Sequence, residues 1–572
     1  MDVAIIGAGP AGSTLAGLLK KYRPDTTVAV FERDRFPRHH IGESLLIDVN
    51  RILHDLGALE AVEQAGFNRK YGATFCWGPE RRAWHLVWRD IPELRAVTAH
   101  EVRYTWHVDR DRYDTLLANH ARSLGAVVLE GHEIQDTIDD GDRVRGLVVR
   151  TPAGETKRVE AQVVVDASGG LGPLARKRSG RVLDRALLNI AVYGYFEGLR
   201  LPPAIFGSPE EPRTGILLHP SGWIWFIPLA GGRTSVGFVT ALETHRALGI
   251  DASPQYLFKQ LEQLPEWKEI SRDGRLIDYR GNGELVHAVQ EYSFQVPHPS
   301  GQGWALCGDS GGFVDAILSV GCFLGHFHAQ FLAYALASAF EGACDLDFAL
   351  KCYGTVVQEN VEGLRAISHM FYAYAHSQDQ WWRGCSEVVR GSPLLPPADD
   401  TSAFLALASG LAARNHLYEE ALHFVGADLV ASAGRAGFLS AAGFPQKAVE
   451  SRQGEIKKLL SRNPRLRWAS EHRTAPFLLP HTGTGRLKPV TRLEYSLLKD
   501  RDRASPLSTL RRSYASPDLN AFWSGPLEGA PFGKALDSAL AGLPADRRDR
   551  LRSEAWDTAL DLVGVGAVEA AG

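Results

Sequence analysis

The chain has 572 residues, more than one hydrophobic core ordinarily supports, so two or three domains are expected. Its 63 Lys and Arg against 67 Asp and Glu leave a net charge of −4 with no basic tract, which excludes the electrostatic footprint of a nucleic-acid binder. Cys76, Cys307, Cys322, Cys344, Cys352 and Cys385 show no CxxC spacing, so neither a zinc site nor a disulfide framework is expected, and the compartment reads as reducing.

The first element, Val3 to Ile6, is an apolar run that reads as a buried strand. Gly7, Gly9 and Gly12 follow at GxGxxG spacing, leading into a helix that begins near Pro10 and carries Ser13 in its first turn. The first glycine of such a motif makes the tight turn, the second lets a pyrophosphate approach the backbone, and the third lets helix and strand pack closely. The phosphates then sit on the helix N-terminus. The next strand, Thr27 to Phe31, ends in Glu32, 20 residues past Gly12, where a carboxylate for a ribose hydroxyl belongs. Together these mark an ADP-binding βαβ unit.

Arg33, Arg35 and Arg38 surround a Pro-containing turn, after which Gly42, Glu43 and Ser44 feed an apolar helix with Ser44 as a candidate N-cap. Lys70 precedes a glycine and an alternating aromatic segment, a loop entering a strand; taken alone, a loop lysine is ordinarily a solvated charge. The chain from Trp84 to Trp106 is strand-like and irregular, and helical periodicity returns with Arg110 at its start. Turns at Asp139 to Asp142 and Pro152 to Glu155 then separate short strands, and a strand Val163 to Val165 ends in Asp166.

Residues Arg181 to Val289 read as a second, mostly β region with a helix near Tyr256 to Leu264. In it Trp223, Trp225 and Ile227 alternate and share one strand face, where tryptophans are ordinarily core. Asp309 follows an apolar strand, and Gly311 and Gly312 are expected to open a long helix, an arrangement that suits a hydroxyl-rich cofactor chain such as the ribityl group of a flavin. One dinucleotide fingerprint leaves no resident nicotinamide site. The apolar stretch Gly311 to Phe340 is interrupted by Asp315, His326, His328 and Gln330, a poor membrane span, and no signal peptide is seen, so a soluble cytoplasmic protein is expected. Past Phe340 the pattern is helical, with Trp381 and Trp382, a Pro-rich joint Ser392 to Asp400, helix candidates near Ser402 to Ala413 and His416 to Leu429, and helices again near Gly533 and Arg547.

The fold class is therefore α/β: a Rossmann-like FAD-binding domain (1–75 with 100–180 and 285–340), an inserted mostly-β substrate-side domain (76–99 with 181–284), and a largely helical C-terminal extension (341–572).

Taken together, GAGPAG at Gly7, Glu32, RHHIGES at Arg38 to Ser44, KYGATF at Lys70, Arg110 before a Tyr-Asp pair, WIWFIP at Trp223 and CGD at Asp309 resemble the flavin-dependent halogenases, with WxWxIP the most specific element. The similarity runs over roughly the first 370 residues and is strongest to the chloramphenicol-type branch, which makes a dichloroacetyl group. It implies that a separate reductase supplies reduced FAD, and that oxygen and chloride then give hypochlorous acid that a lysine, matched by Lys70, presents to the substrate. Glu43 matches a second catalytic position, and Trp223 and Trp225 a wall between flavin and substrate. FAD would be held by Gly7, Gly9, Gly12, Ser13, Glu32, Arg33, Arg38, Arg110 and Asp309, and chloride by the backbone amides of Ser319, Val320 and Gly321. Glu291, in VQEYSF, matches an aspartate that in this branch is joined covalently to the flavin.

Two departures qualify the match. Asp315 and Ala316 replace an aspartate-proline pair before the chloride turn, and Leu318 replaces the glutamate of tryptophan halogenases, which argues against indole and for the branch acting on carrier-bound or otherwise activated substrates, an acyl group on a carrier protein or a similarly activated small molecule. Electrophilic chlorine needs an electron-rich carbon, which for an acyl group means an enol or enolate beside a thioester or ketone. A flavin monooxygenase or reductase on the same fold, or a flavoprotein that has lost turnover, are the alternatives.

Overall fold

A computed structural model of the protein describes residues 1–77, 81–88, 104–170, 172–247, 252–373, 457–468, 472–481, 483–496, 510–525, 527, 530–564 and 568–571. The chain forms two units: Met1–Asp90 with Thr98–Gln378 and Gly483–Arg486, and Ile91–Val97 with Asp379–Thr482 and Leu487–Gly572. Trp381, Trp382, the Pro-rich joint and the helix candidates between Ser402 and Leu429 lie outside the described residues.

The first unit contains two large sheets. Val3–Ile6 is buried along its whole length, as an apolar run with no alternation requires of a central parallel strand. It pairs in parallel with Val28–Glu32 on one side and Val163–Asp166 on the other. Val127–Glu130 and Trp304–Leu306 extend the parallel sheet outward, and a short antiparallel strand, Ser300–Gly301, closes it. The C-terminal ends of these strands carry the glycine turn, Glu32, Asp166 and the approach to Asp309, so one sheet edge collects the expected nucleotide ligands. The expected antiparallel excursion is present as a three-stranded sheet of Glu133–Asp140, Arg143–Arg150 and Thr156–Glu160.

The second sheet has nine strands and is antiparallel except where Thr214–His219 runs parallel to Gly72–Trp77. Its longest member, Val182–Glu197, pairs with Arg233–Ala241 and Val286–Gln295. Phe196, Phe226, Phe238, Leu257 and Trp267 form a core between this sheet and the helix Pro254–Leu261. That helix starts two residues before the expected Tyr256 because Ser253 accepts from the Tyr256 amide and Pro254 occupies the first helical position.

The helix expected at Gly311 begins ten residues later, at Gly321. Gly308–Gly311 closes a short 3-10 turn, and Gly312, at φ +146, lets the chain turn into a two-residue strand that pairs with Phe294 and Gln295. Sheet pairing therefore diverts the chain before the helix can start. The helices Gly321–Phe340 and Leu346–Ala373 follow, both within the first unit.

In the second unit the helices Phe532–Leu540 and Ala545–Gly564 lie where they are expected, accompanied by strands. His472–His481, Arg486–Ser496 and Leu510–Ala515 form a three-stranded sheet, and Arg465–Trp468 pairs with Val568–Ala571. Trp523, Phe532, Leu536 and Leu551 centre this unit's core. Among the described residues, no helix is long and apolar enough to cross a membrane.

Candidate active site

The three glycines of the first turn do different work. Gly7 has φ +93, and a Cβ there would lie 2.7 Å from the Ala167 carbonyl oxygen; a Cβ on Gly12 would lie 2.0 Å from the Gly7 carbonyl oxygen. Both positions are closed to any side chain by backbone. At Gly9 the surroundings are open: among the described residues a Cβ would meet only the far end of Arg38, at 3.4 Å. Gly9 also precedes a helix with no side-chain cap, so the first-turn amides stand ready for an anion. Glu32 is buried beside this turn, accepting from the Ala8 amide at 2.8 Å and the Asp34 amide at 3.0 Å, with Arg38 3.4 Å away. Arg38 also reaches Asp114 at 3.3 Å. Ser13 turns its hydroxyl inward to the Ala8 carbonyl, and Arg33 is largely exposed and pairs with Asp34.

Arg110 opens the helix Arg110–Ser123 and is buried there. Its Nε and Nη2 fork onto Asp114 at 2.8 and 3.1 Å, which holds the guanidinium charged, and its Nη1 donates to the Ile41 carbonyl at 2.6 Å, pinning the loop that carries Glu43 and Ser44. Burial pushes the Asp309 carboxyl up to about 6, with Arg110 opposing. A Cβ on Gly321 would lie 3.8 Å from Asp309 Oδ1, so Asp309 sits beside the turn Ser319 to Gly321.

That turn is unusual in its backbone and in what braces it. Ser319 has φ +55, a left-handed conformation for a residue with a side chain, and Gly321 begins a 20-residue helix with no side-chain cap. Asp315 accepts from the Ile317 amide at 2.9 Å, doing with a carboxylate what a proline after it would do with a ring. Asp315 also accepts from Asn189 Nδ2 at 2.9 Å and from the Tyr372 hydroxyl at 3.1 Å. Trp223 Nε1 donates to the same Tyr372 hydroxyl at 2.7 Å. The tryptophan strand and the segment leading to the Ser319 turn are therefore tied through one tyrosine. Trp225 is buried next to Trp223, its Nε1 donating to Ser235 at 3.1 Å.

Lys70 is not a solvated loop lysine. It ends the strand Asn68–Lys70, is 1% exposed, and donates to Ser44 Oγ at 2.9 Å and the Leu45 carbonyl at 2.8 Å. Burial alone pushes its amine down to about 7. Ser44 does not cap a helix: Asp48 precedes the helix Val49–Leu56, and Ser44 instead bridges to His107 in the strand Thr105–His107. Glu43, one residue earlier, is buried on another side of the loop, where it accepts from the Tyr195 hydroxyl at 2.8 Å. Burial pushes it up to about 7, against hydrogen bonds from Ser235 and Tyr195.

Glu291 stands on the strand Val286–Gln295 opposite Asn189; its side chain lies outside what is described. The residues sequence reasoning missed are Tyr372, Asn189, Tyr195, Thr214 and His107, each a polar side chain that finds its partner on another element. A polar residue on a buried strand needs a partner, and that requirement is the signal that marks Thr214 and His107.

A family model described as Tryptophan halogenase matches residues 2–90 and 88–395. The chain is 31% identical over 415 residues to a tryptophan 2-halogenase of Chondromyces crocatus, covering 72% of this chain and 75% of that one. It is 31% identical over 340 residues to a 1H-pyrrole-2-carbonyl-[peptidyl-carrier protein] chlorinase of Pseudomonas fluorescens, covering 56% and 72%. Among solved structures, the myxobacterial chondrochloren halogenase CndH, an FAD-dependent halogenase, matches with TM-score 0.60 at 30% identity over 66% of this chain and 84% of its own. The flavin-dependent halogenase CmlS shares the fold over 99% of this chain and 95% of its own, with TM-score 0.66 at 23% identity. With the glycine cradle, the buried lysine and the tryptophan strand on one unit, the chain belongs to the tryptophan halogenase family and is an FAD-dependent halogenase.

Proposed function

We propose that this halogenase chlorinates an activated carbon of a carrier-bound acyl group or a similarly activated small molecule in natural-product biosynthesis, with Lys70 as the residue that receives the oxidised chlorine. The observation that carries the reading is Lys70 itself, a wholly buried amine whose partners are a hydroxyl and a carbonyl, so that it is substantially neutral and nucleophilic at neutral pH.

The residues present fit FAD. Gly9 leaves room for a pyrophosphate against free helix amides, Glu32 is placed for a ribose, Arg38 and Arg110 supply positive charge, and Asp309 offers a half-buried carboxyl to a hydroxyl chain. When bound and reduced by a separate reductase, FAD supplies hypochlorous acid from oxygen and chloride. The Ser319 amide donates to the Ala316 carbonyl at 3.0 Å, so the uncapped helix start at Val320 and Gly321 would hold the chloride through its backbone amides. Lys70 forms an N–Cl bond as the O–Cl bond of hypochlorous acid breaks and water leaves; it then passes chlorine to carbon while that carbon's proton returns to nitrogen. Trp223 and Trp225 wall the oxidant's source from the substrate, and Glu43 fixes the loop on which Lys70 rests. Covalent attachment of FAD through Glu291 belongs to this reading and is checked by weighing the denatured protein: a mass increase equal to FAD, lost in Glu291→Gln, supports it, and flavin released on denaturation removes it.

Leu318, and the carrier-protein substrate in the name of the Pseudomonas relative, favour an acyl thioester; the name of the Chondromyces relative favours indole as a second reading. Purified protein given reduced FAD, oxygen and chloride is offered a β-ketoacyl carrier thioester and free tryptophan, and product masses are read with chloride and with bromide. Halide-dependent mass on the thioester is expected. Efficient turnover of tryptophan overturns the substrate, and hydroxylation in place of chlorination overturns the role of Lys70.

A further inference from the structure

Lys70 does not end at Ser44. Ser44 Oγ lies 3.0 Å from Thr214 Oγ1, and Thr214 Oγ1 lies 2.8 Å from His107 Nε2, so four side chains from the strand Asn68–Lys70, the loop after Gly42, the strand Thr214–His219 and the strand Thr105–His107 form one unbranched chain. All four are buried: Lys70 at 1%, Ser44 at 7%, Thr214 at 2% and His107 at 0% exposure. Among the described residues no carboxylate contributes to the state of Lys70, and the ring of Trp88, 5.6 Å from the nitrogen, offers a π face.

A chain of hydroxyls has a direction, because each hydroxyl has one proton to give. Lys70 donates to Ser44, so the Ser44 proton goes to Thr214, the Thr214 proton goes to His107 Nε2, and that nitrogen must be bare. His107 Nδ1 then carries the ring proton, and it makes no regular hydrogen bond to a described residue. The opposite direction is equally continuous. If Nε2 held the proton, Thr214 would donate to Ser44, and Ser44 would donate into the lone pair of the Lys70 amine.

Resting on the role of Lys70 proposed above, we infer that His107 and Thr214 are positioning residues that set the direction of this chain, so that both protons of the neutral Lys70 amine are held by Ser44 and the Leu45 carbonyl and its lone pair is left free for electrophilic chlorine. A neutral amine has two N–H groups and one lone pair, and two acceptors within hydrogen-bond reach use both N–H groups. Burial keeps His107 neutral, as the chain requires. No bond to carbon or chlorine is made by Ser44, Thr214 or His107, and no net proton moves along the chain.

The test uses the full-length protein without flavin as well as the loaded enzyme. Cyanate carbamylates neutral amines through the lone pair, and modification of Lys70 is read by peptide mass spectrometry. Thr214→Val is expected to slow Lys70 carbamylation and to lower chlorinated product per reduced FAD oxidised, each about tenfold, as the loss of one buried hydrogen-bond link implies. Thr214→Ser, which restores the hydroxyl, is expected to recover most of both. Thr214→Val at wild-type values in both assays overturns the inference. Because a buried valine could also disturb folding, nitrogen NMR of the flavin-free wild-type protein decides independently: His107 with bare Nε2 and protonated Nδ1 supports the direction, and the other tautomer overturns it. Lys70→Ala that still chlorinates would instead remove the role of Lys70, leaving the tautomer as found.

Discussion

The nucleotide cradle and the lysine pocket lie in the same unit and are built on opposite principles. The cradle is local: Gly7, Gly9, Gly12 and Glu32 come from one βαβ stretch, and two of the glycines are fixed by backbone atoms at 2.7 and 2.0 Å from where a Cβ would stand. The lysine pocket is assembled from four separate elements, and the character of Lys70 comes from burial and from neighbours 18 to 144 positions away along the sequence. A local motif announces its ligand; an assembled pocket announces its chemistry only when the sheet is in place.

The sharpest way to break this comparison is Lys70→Ala. Chlorinated product is expected to fall about a thousandfold or more, the loss of a nucleophile, while flavin absorbance stays with the purified protein. Retained chlorination would show that the pocket does not carry the reaction. The converse variant, Gly12→Ala, forces a Cβ against the Gly7 carbonyl and is expected to cost about 1–3 kcal/mol of stability and most bound flavin, read by thermal unfolding and flavin absorbance, while cyanate still reaches Lys70.

A pH series sharpens the same contrast. Chlorination per FAD oxidised should rise with pH through about 7, where the Lys70 amine becomes neutral. For stability, between about 7 and the ordinary lysine value of 10.5 the unfolded chain holds a proton on this residue that the folded chain does not, so the contribution of Lys70 to stability rises with pH across that window and is flat below it. Glu43 acts in the opposite sense: raised to about 7 from 4.5, it makes stability fall as pH rises between those values. Denaturant unfolding of Lys70→Met and Glu43→Gln should each lose one of these two slopes. The smallest expected effect is Tyr372→Phe, which removes the acceptor of Trp223 and a donor to Asp315 and should weaken chloride dependence by about 1 kcal/mol, read as a several-fold rise in the chloride KM.

The halves of the site differed in how far they could be read in advance. The first strand, the glycine turn, Glu32 and the helix at Arg110 follow from spacing and periodicity, because their patterns are local even where a partner such as Val163–Asp166 or the Ala167 carbonyl is distant in the chain. Lys70 read alone gave the wrong environment, a solvated charge, since nothing adjacent to it in sequence covers it. Ser44 was read as a helix cap because a Gly-Glu-Ser step before apolar residues has that form, yet its hydroxyl is taken by Lys70 and Thr214. The delayed start of the helix at Gly321 depends on a two-residue pairing with Phe294, which no local pattern encodes.

The brace beside the Ser319 turn bears on how the proposed chloride site can change. A proline ring fixes a backbone once, covalently, and offers no intermediate settings. Here the same segment is shaped by Asp315, itself held by Asn189 from the longest strand and Tyr372 from the Leu346–Ala373 helix. Neither of those two side chains belongs to the Ser319 to Gly321 turn, so the proposed chloride site would be open to adjustment by substitutions at a distance, with the amides of the turn left untouched.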